Sequence, residues 1–321
     1  MKPEGEREAQ IRAFLIKKGW IDPVNRVEFL AAGEYNENYR VSSGNERFVF
    51  RINRGSQLGI KNQIEYEYGV LRCLEHSGVT PKPFFCDPEP SHFGGGVLLM
   101  EYIQGVPLDY ERDLETAARI FAAVHSQPIH DNLIIQKHPV LDIARESLGL
   151  ITRYHDHPLE GVKHTLLRYH EKIIELAGET EELFSEEPMC VVNTEVNSGN
   201  FIIGEQSGYL VDWEKAVVSF RYQDLGHFLV PTTTLWKTDY VFSIEKKEDF
   251  LRVYAFHLEK LVPFDALFER TSILERTILL RAMSWCFMAY YEYTRSERAL
   301  KDSFTFSRIQ KYLREIKCFL K

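Results

Sequence analysis

The hydrophobic pattern of the chain changes once, near Pro107, and that change constrains the fold more than any other feature. Before it, strand-like runs at 26–53 and 97–103 flank one helical segment at 61–76 and follow an amphipathic segment at 6–20. After it, apolar residues recur at helical spacing in the segments 113–126, 140–155, 159–177, 244–262, 273–294 and 306–320. One β-rich segment, 189–213, interrupts them. The pattern predicts an α+β fold of two lobes, a small sheet-plus-helix lobe at 1–103 and a larger, mostly helical lobe at 104–321.

Composition argues against several classes of protein. The 321 residues carry 39 basic and 47 acidic side chains, a net charge of −8, whereas proteins that bind a phosphate backbone carry a basic excess. No window reaches about 18 uninterrupted apolar residues, and the first ten residues lack the apolar core of a signal peptide. The five cysteines form no C-x-x-C pair. We therefore expect a reduced, cytoplasmic protein without nucleic acid or membrane partners, and the sequence leaves its oligomeric state open.

The β-rich segment carries the residues best suited to chemistry. Glu195 and Asn200 lie in a loop between two short β runs, and Asp212 ends the next strand. Oxygen ligands such as Asn200 and Asp212 suit Mg²⁺, and a carboxylate five residues before the Asn could accept the proton of an attacking hydroxyl. Kinases use this spacing in phosphoryl transfer. A surface turn at 197–200, with Asp212 as a helix N-cap, would explain the same residues, and spacing alone does not separate the two interpretations.

The motifs in this region resemble those of the aminoglycoside phosphotransferase and choline kinase-like family, which has a protein-kinase-like fold. VVNTEVNSGNFII, then GYLVDWE, then YQDLGHFL are similar to its His-Gly-Asp…Asn loop, its Asp-Trp-Glu strand end and its Asp-Leu helix start. The resemblance implies that Glu195 is the catalytic base and that Asn200 and Asp212 are catalytic metal ligands. It places Asn193 where the family has His, and it implies a structural role for Asp224.

The first hundred residues resemble the same family in the same order. FLAAGEYNENYRV is similar to its glycine-containing hairpin over the phosphates, which implies nucleotide contacts for Gly33 and Asn36. LLMEYIQG is similar to the hinge whose backbone reads the base, which implies a binding role for Glu101, Tyr102 and Ile103.

A strand with alternating apolar residues carries the expected phosphate ligand. In RFVFRIN, period-2 alternation puts Phe48, Phe50 and Ile52 on one face. Arg51 then lies on the other face, at the position where the family carries a Lys or Arg that binds phosphate. Glu67, in the helix that follows, occupies the position of its ion-pair partner.

The resemblance implies a phosphotransferase with an alcohol group as acceptor, which moves the γ-phosphoryl group of ATP or GTP to a small molecule with Mg²⁺. No Ala-Pro-Glu segment follows Asp212, which disfavours a protein substrate. Two departures matter: Glu195 stands where the family has Asp, one methylene further out, and Asn193 replaces His. An alternative is therefore a nucleotide-binding kinase-fold module with little or no transferase activity. Because the other expected residues are intact, we favour an active enzyme.

The sequence says less about the acceptor. Residues 1–103 carry 13 basic and 14 acidic side chains, so nearly all of the negative charge belongs to 104–321. That acidity would favour a cationic acceptor, or it belongs to a solvated surface. The stretch VPTTTLWKTDY is rich in hydroxyl groups and contains Trp236, so we predict that it lines the acceptor site.

The sequence RYHDHP places two histidines beside an aspartate at 155–157. Residues two apart do not share a helical face, and no third ligand lies nearby in the sequence. We therefore predict a solvated loop here and not a transition-metal site.

Overall fold

The structure is a computed structural model and describes residues 4–33, 35–56, 58–89, 93–130, 132–205, 207–258, 262–295 and 303–320. Its strands are β1 Arg26–Ala32, β2 Asn36–Ser43, β3 Glu46–Asn53, β4 Pro83–Asp87, β5 Val97–Glu101, β6 Val106–Pro107, β7 Cys190–Val192, β8 Phe201–Ile203, β9 Gly208–Leu210 and β10 Val217–Ser219. Its helices are α1 Glu4–Lys18, α2 Gln63–Leu74, α3 Leu114–His125, α4 Pro139–Thr152, α5 Glu160–Phe184, α6 Tyr222–Leu229, α7 Pro231–Lys237, α8 Ile244–Phe256, α9 Phe264–Arg295, α10 Ser303–Arg314 and α11 Ile316–Phe319.

The chain forms two compact units. The first comprises Met1–Pro107, Gln127–Leu133 and Phe201–Ala216, and the second comprises Leu108–Ser126, Ile134–Asn200 and Val217–Lys321. The strand end that carries Asp212 therefore belongs to the first unit, and the loop that carries Glu195 and Asn200 belongs to the second. The lobe boundary at residue 103 stays a prediction.

A five-stranded antiparallel sheet in the order β1-β2-β3-β5-β4 is the larger of the two described sheets in the first unit. One face of β3 is apolar, and its Phe50 and Ile52 are fully buried in a core that includes Ile11 and Leu15 of α1. The alternation predicted for RFVFRIN is therefore present, and it leaves Arg51 on the opposite face of the sheet.

A smaller sheet in the same unit, in the order β6-β8-β9, leads the chain toward Asp212. Gly105 is required beside it, because a Cβ at this position would lie 2.5 Å from the carbonyl oxygen of Ile203. Leu210 donates a backbone hydrogen bond to Val79 (2.9 Å), and the fully buried Trp213 indole donates to Leu210 (2.8 Å). The residues on each side of Asp212 are thus held in place.

The second unit is mostly helical and is organised around the 32-residue helix α9, which packs against α4, α5, α6, α7, α8 and α10. Strands β7 and β10 pair antiparallel within it, and Cys190, Val192 and Val217 form a small apolar cluster between them. Strand β7 leads directly into the loop of residues 193–200.

Most predicted helices are present with shifted ends. The segment predicted at 159–177 is helix α5, which continues to Phe184, and the segment predicted at 273–294 begins earlier, at Phe264. The hydroxyl-rich stretch after α6 contains the short helix α7, which periodicity did not predict; Pro231 stands at its start, where a missing N–H costs nothing. Within the described part of the chain, no helix is long and apolar enough to cross a membrane.

The prediction of a solvated loop at 155–157 is wrong for His157. Its ring is 2 % exposed and stacks on Phe287, with 3.5 Å between ring centroids. Nε2 lies 2.8 Å from the carbonyl oxygen of Phe287 and so donates, while Nδ1 accepts from the N–H of Leu159 at 3.2 Å. Both nitrogens are therefore satisfied in the neutral ring, and burial lowers the pKa of His157.

We expect the free energy of unfolding to fall less at acid pH in the variant His157→Gln than in the native protein. The pKa is lower in the folded protein than the usual value near 6.5, so the unfolded chain takes up the proton first as pH falls. The stability that neutral His157 contributes is thus present above about pH 6.5 and lost below it. Between pH 7.5 and 5.5, the free energy of unfolding in urea should fall by about 1 kcal/mol more for the native protein than for the variant. Equal falls in the two proteins would contradict this.

Candidate active site

Arg51 is the centre of a buried polar cluster in the first unit. Its side chain is 7 % exposed, and its Nη1 forms an ion pair with Glu67 of α2 and a second with Asp212 at 3.1 Å. Its Nε donates to Asn38 of β2 at 2.9 Å. Burial alone would lower the pKa of Arg51, but the two carboxylates outweigh burial and raise it, so the guanidinium stays charged. The structure thus brings together three of the residues singled out in the sequence.

The backbone is strained at Asp212. Its φ is +66°, a left-handed conformation that costs about 1–3 kcal/mol for a residue with a side chain. The buried Trp213 on one side and the β9 strand on the other fix this conformation. Strain of this kind is most common where a side chain must be aimed at a ligand.

Glu214 extends the same cluster, and the sequence analysis gave it no role. Its carboxylate is buried and accepts a hydrogen bond from Asn36 Nδ2 at 2.5 Å, and Asn36 in turn accepts from Asn53 at 2.8 Å. Gln63 of α2 donates to the carbonyl oxygen of Glu214 at 2.7 Å. Burial, together with the neighbouring carboxylates, raises the pKa of Glu214 to about 7. The start of β2, the start of α2 and the Asp212 segment are therefore tied together by polar contacts.

Gly33 and Asn36 close the β1–β2 hairpin. Gly33 is exposed and donates its N–H to the carbonyl oxygen of Asn36 at 2.8 Å. The Asn36 side chain is 6 % exposed and is occupied by the Asn53 and Glu214 contacts. A nucleotide contact of Asn36 would therefore have to come from its backbone.

The expected hinge follows β5 directly. Glu101 ends the strand, and its carboxylate accepts a hydrogen bond from the N–H of Lys82 at 3.2 Å. Tyr102 donates its N–H to Arg47 at 3.3 Å, which continues the sheet by one residue. In the described part of the chain, the N–H of the next residue, Ile103, has no hydrogen-bond acceptor. A free donor at a strand end is what a purine edge needs in order to bind.

In the second unit, the buried carboxylate of Asp224 fixes the loop that follows β7. Asp224 lies in the first turn of α6 and is 0 % exposed. Its two oxygens accept the N–H groups of Asn193 and Thr194, each at 2.8 Å, and one oxygen also lies 3.3 Å from His125 Nε2. Burial lowers the pKa of His125, so the neutral ring donates through Nε2 and accepts from the Tyr254 hydroxyl at 2.9 Å. The structural role expected for Asp224 has a clear physical basis.

The loop itself orients two predicted catalytic residues. Asn193 is fully buried, and its side-chain oxygen accepts the N–H of Glu195 at 3.0 Å. Asn200 donates through Nδ2 to the carbonyl oxygen of Glu195 at 2.6 Å, which leaves its Oδ1 as the remaining side-chain acceptor. Among the described residues nothing donates to that oxygen. Asn200 therefore offers a free oxygen ligand.

Two residues of this loop environment escaped the sequence analysis. Thr194 has a φ of +69°, although a β-branched residue rarely adopts this conformation. Arg281 of α9 donates to the carbonyl oxygen of Thr194 at 3.1 Å. Thr194, immediately before Glu195, is thus held on both sides, by Asp224 at its N–H and by Arg281 at its carbonyl.

An aromatic pair lies on helices that also contact this loop. Trp236 of α7 and Trp285 of α9 are half-buried, with ring centroids 5.9 Å apart and planes at 75°. Trp285 stands one helical turn after Arg281, on the same side of α9. Helix α7 itself contacts the 3-10 turn Ser198–Asn200.

We expect Asp224→Asn to destabilise the protein strongly. One backbone N–H of the loop would face an amide NH₂ group in place of a carboxylate oxygen. The other N–H would bind a neutral amide oxygen in place of a charged carboxylate oxygen. The free energy of unfolding in urea at pH 7 should fall by about 2–4 kcal/mol. Asp249→Asn, at an exposed site on α8, is the matched control and should change it by less than about 0.5 kcal/mol. A fall no larger than in the control would show that the bracing is unimportant.

The sequence profile of the phosphotransferase enzyme family matches residues 26–264, well over half of the chain. No curated protein sequence matches the chain.

Solved structures of similar fold cover nearly the whole chain. A choline/ethanolamine kinase family protein from Mesorhizobium loti is 18 % identical, with a TM-score of 0.65 over 97 % of this chain and 96 % of that one. An ethanolamine kinase from Plasmodium vivax is 12 % identical, with a TM-score of 0.69 over 97 % and 89 %. A spectinomycin phosphotransferase, solved with ADP and spectinomycin, is 16 % identical, with a TM-score of 0.59 over 96 % and 94 %. These similarities establish the kinase-like fold predicted from the sequence.

Proposed function

Because the chain belongs to the phosphotransferase enzyme family, we propose that it transfers the γ-phosphoryl group of ATP or GTP to a hydroxyl group of a small molecule, with Mg²⁺. The observation that carries the proposal is the buried Arg51–Glu67–Asp212 cluster, which presents a fixed cation beside an aimed carboxylate. One of the similar structures was solved with ADP, which supports a nucleotide as the donor.

The free polar groups of the first unit suit a nucleotide. Arg51 uses Nη1 and Nε for protein contacts, and among the described residues nothing accepts from its Nη2. This nitrogen is available to a phosphate oxygen, for which a charged guanidinium is a strong donor. The unpaired N–H of Ile103 would bind the base, flanked by Glu101 and Tyr102. We propose that residues 1–103 act together as the nucleotide-binding lobe.

The donor set also suits Mg²⁺. Asp212 offers a carboxylate and Asn200 an amide oxygen without a hydrogen-bond donor, and both are hard oxygen ligands. The Oε2 atom of Glu67 is buried without a hydrogen-bond partner among the described residues, which leaves further negative charge near Asp212. When bound, Mg²⁺ would neutralise charge on the phosphates.

Glu195 would receive the proton of the acceptor hydroxyl. Its backbone N–H is held by Asn193 and its carbonyl oxygen by Asn200, so the main chain at this residue is fixed. The strained Thr194 immediately before it sets the direction of the loop, which can compensate for the extra methylene of Glu relative to Asp. A fixed carboxylate within hydrogen-bond reach of the hydroxyl is what a general base requires.

The acceptor would lie against the second unit. The two tryptophan faces of Trp236 and Trp285 suit a cationic group, because the negative face of an indole attracts positive charge. The family resemblance and the net negative charge of the chain also favour a cationic acceptor. Amino alcohols and amino sugars are therefore the acceptors that we propose to test first.

We extend the proposal to a cytoplasmic location. All five cysteines are free thiols, and three of them are buried. Free cysteines in this number are typical of a reducing compartment.

The donor site predicts Mg²⁺-dependent stabilisation by nucleotide. A ligand that binds only the folded state raises the free energy of unfolding by about 2.7 kcal/mol at a hundredfold excess over Kd. Thermal melts with ATP or GTP should therefore shift upward with Mg²⁺ and less without it, and Asp212→Ala should lose the Mg²⁺-dependent part. Asp239→Ala, at an exposed position, serves as the control. If neither nucleotide shifts the native protein, the proposed donor site is wrong.

Trp236→Ala should raise the KM for a cationic acceptor and leave kcat nearly unchanged. Loss of a cation–π contact of about 0.5–2 kcal/mol corresponds to roughly a 2- to 30-fold higher KM. Trp236→Phe keeps an aromatic face and should retain most of the affinity. Steady-state kinetics with the first accepted amine would decide, and an unchanged KM in the Ala variant would remove Trp236 from the acceptor site.

A further inference from the structure

We propose that Lys237, the last residue of α7, is a further catalytic residue that binds the γ-phosphate of the donor nucleotide; the inference rests on the proposed function. Lys237 is exposed and reaches over the turn of residues 197–200, so that a Cβ added at Gly199 would lie 2.4 Å from its Nζ and 3.4 Å from its Cε. The ammonium group thus lies on the backbone of the same loop that carries Glu195 and Asn200.

Gly199 makes room for this ammonium group. Its φ does not fall in the left-handed region, so any residue could adopt the backbone conformation found there. A side chain would be limited by lack of space: an added Cβ would lie closest to Lys237 Nζ and then to Asn197 Oδ1, at 3.1 Å. The absence of a side chain at 199 therefore lets a cation approach the loop closely.

The turn does not need the lysine to hold it together. Asn197 Oδ1 accepts the N–H of Gly199 at 3.0 Å, and the carbonyl oxygen of Asn197 accepts the N–H of Asn200 at 2.9 Å. The carbonyl oxygen of Ser198 accepts the N–H of Leu108 at 3.2 Å. In the described ranges, Lys237 itself makes no hydrogen bond or ion pair. Its charge is therefore available to an anion that arrives at this loop.

Phosphoryl transfer supplies such an anion. The three equatorial oxygens of the transferred group share its charge in the transition state, and fixed cations stabilise that charge. Arg51 belongs to the first unit and keeps only its Nη2 for a phosphate, because Nη1 and Nε bind protein groups, whereas Lys237 belongs to the second unit with Glu195. A flexible lysine with rotatable donors can follow the phosphoryl group as it moves to the acceptor. Lys237 would thus distinguish a nucleoside triphosphate from a diphosphate.

The test compares binding of a non-hydrolysable ATP analogue and of ADP by calorimetry with Mg²⁺ in the native protein and in variants. A hydrogen bond to a charged group corresponds to about tenfold to hundredfold in affinity. Lys237→Gln should weaken the ATP analogue by that factor and leave ADP unchanged, and Lys237→Arg should retain most of the difference. Lys246→Gln, an exposed lysine on α8, is the matched control and should behave like the native protein.

Gly199→Ala gives an independent perturbation, because its methyl group displaces the ammonium and leaves the charge in the chain. It should reduce the preference for the triphosphate in the native background and change it little in the Lys237→Gln background, since the two changes act through one contact. If Lys237→Gln leaves the preference unchanged while the native protein binds both nucleotides, the role of Lys237 is refuted and the proposed function stands. If the native protein binds neither nucleotide, the role of Lys237 and the proposed function are both refuted.

Discussion

The loop that carries Glu195 depends on one buried carboxylate, that of Asp224. Its oxygens accept two successive backbone N–H groups and face a neutral histidine, and the residue is fully buried. A buried charge is tolerated only when hydrogen bonds compensate its desolvation, so this carboxylate and the loop that it binds stabilise each other. The loop conformation is thereby fixed through the backbone N–H groups of Asn193 and Thr194, immediately before Glu195.

Backbone strain occurs at one proposed catalytic residue and immediately before another. Thr194 and Asp212 both adopt left-handed backbone conformations without being glycine. Each is surrounded by contacts that determine it: Asp224 and Arg281 for the first, the buried Trp213 for the second. Because such strain costs stability and persists only where the surroundings impose it, its presence at Asp212 and immediately before Glu195 supports a role in orienting these two proposed catalytic residues. Asn193 and Glu195 lie in the loop that Asp224 and Arg281 hold.

The sequence was most informative where a contact joins residues of a known motif. Alternation in β3 predicted the face of Arg51, and the helical spacing after Pro107 predicted most helices. The Arg51–Glu67 pair was predicted from the family resemblance. Sixteen residues separate the two, so no local periodicity could have indicated the contact. Periodicity failed for α7, because a seven-residue helix rich in threonine is too short to show it.

The remaining site features depend on tertiary packing. Arg281 reaches Thr194 across 87 positions of sequence, and Glu214 reaches Asn36 across 178. Lys237 lies on Gly199 only because α7 packs on the turn. His157 was misjudged for the same reason, since its burial depends on Phe287 of α9. No local pattern encodes such contacts.

Glu195 is the proposed general base of an active phosphotransferase. Transfer from γ-labelled ATP to a panel of amino alcohols and amino sugars should be measured for the native protein, for Glu195→Gln and for Glu195→Asp. We expect turnover in the native protein, a loss of about a hundredfold or more in Glu195→Gln, and partial activity in Glu195→Asp. Native turnover that persists unchanged in Glu195→Gln would contradict it. So would nucleotide binding without transfer to any acceptor, which would identify a nucleotide-binding module.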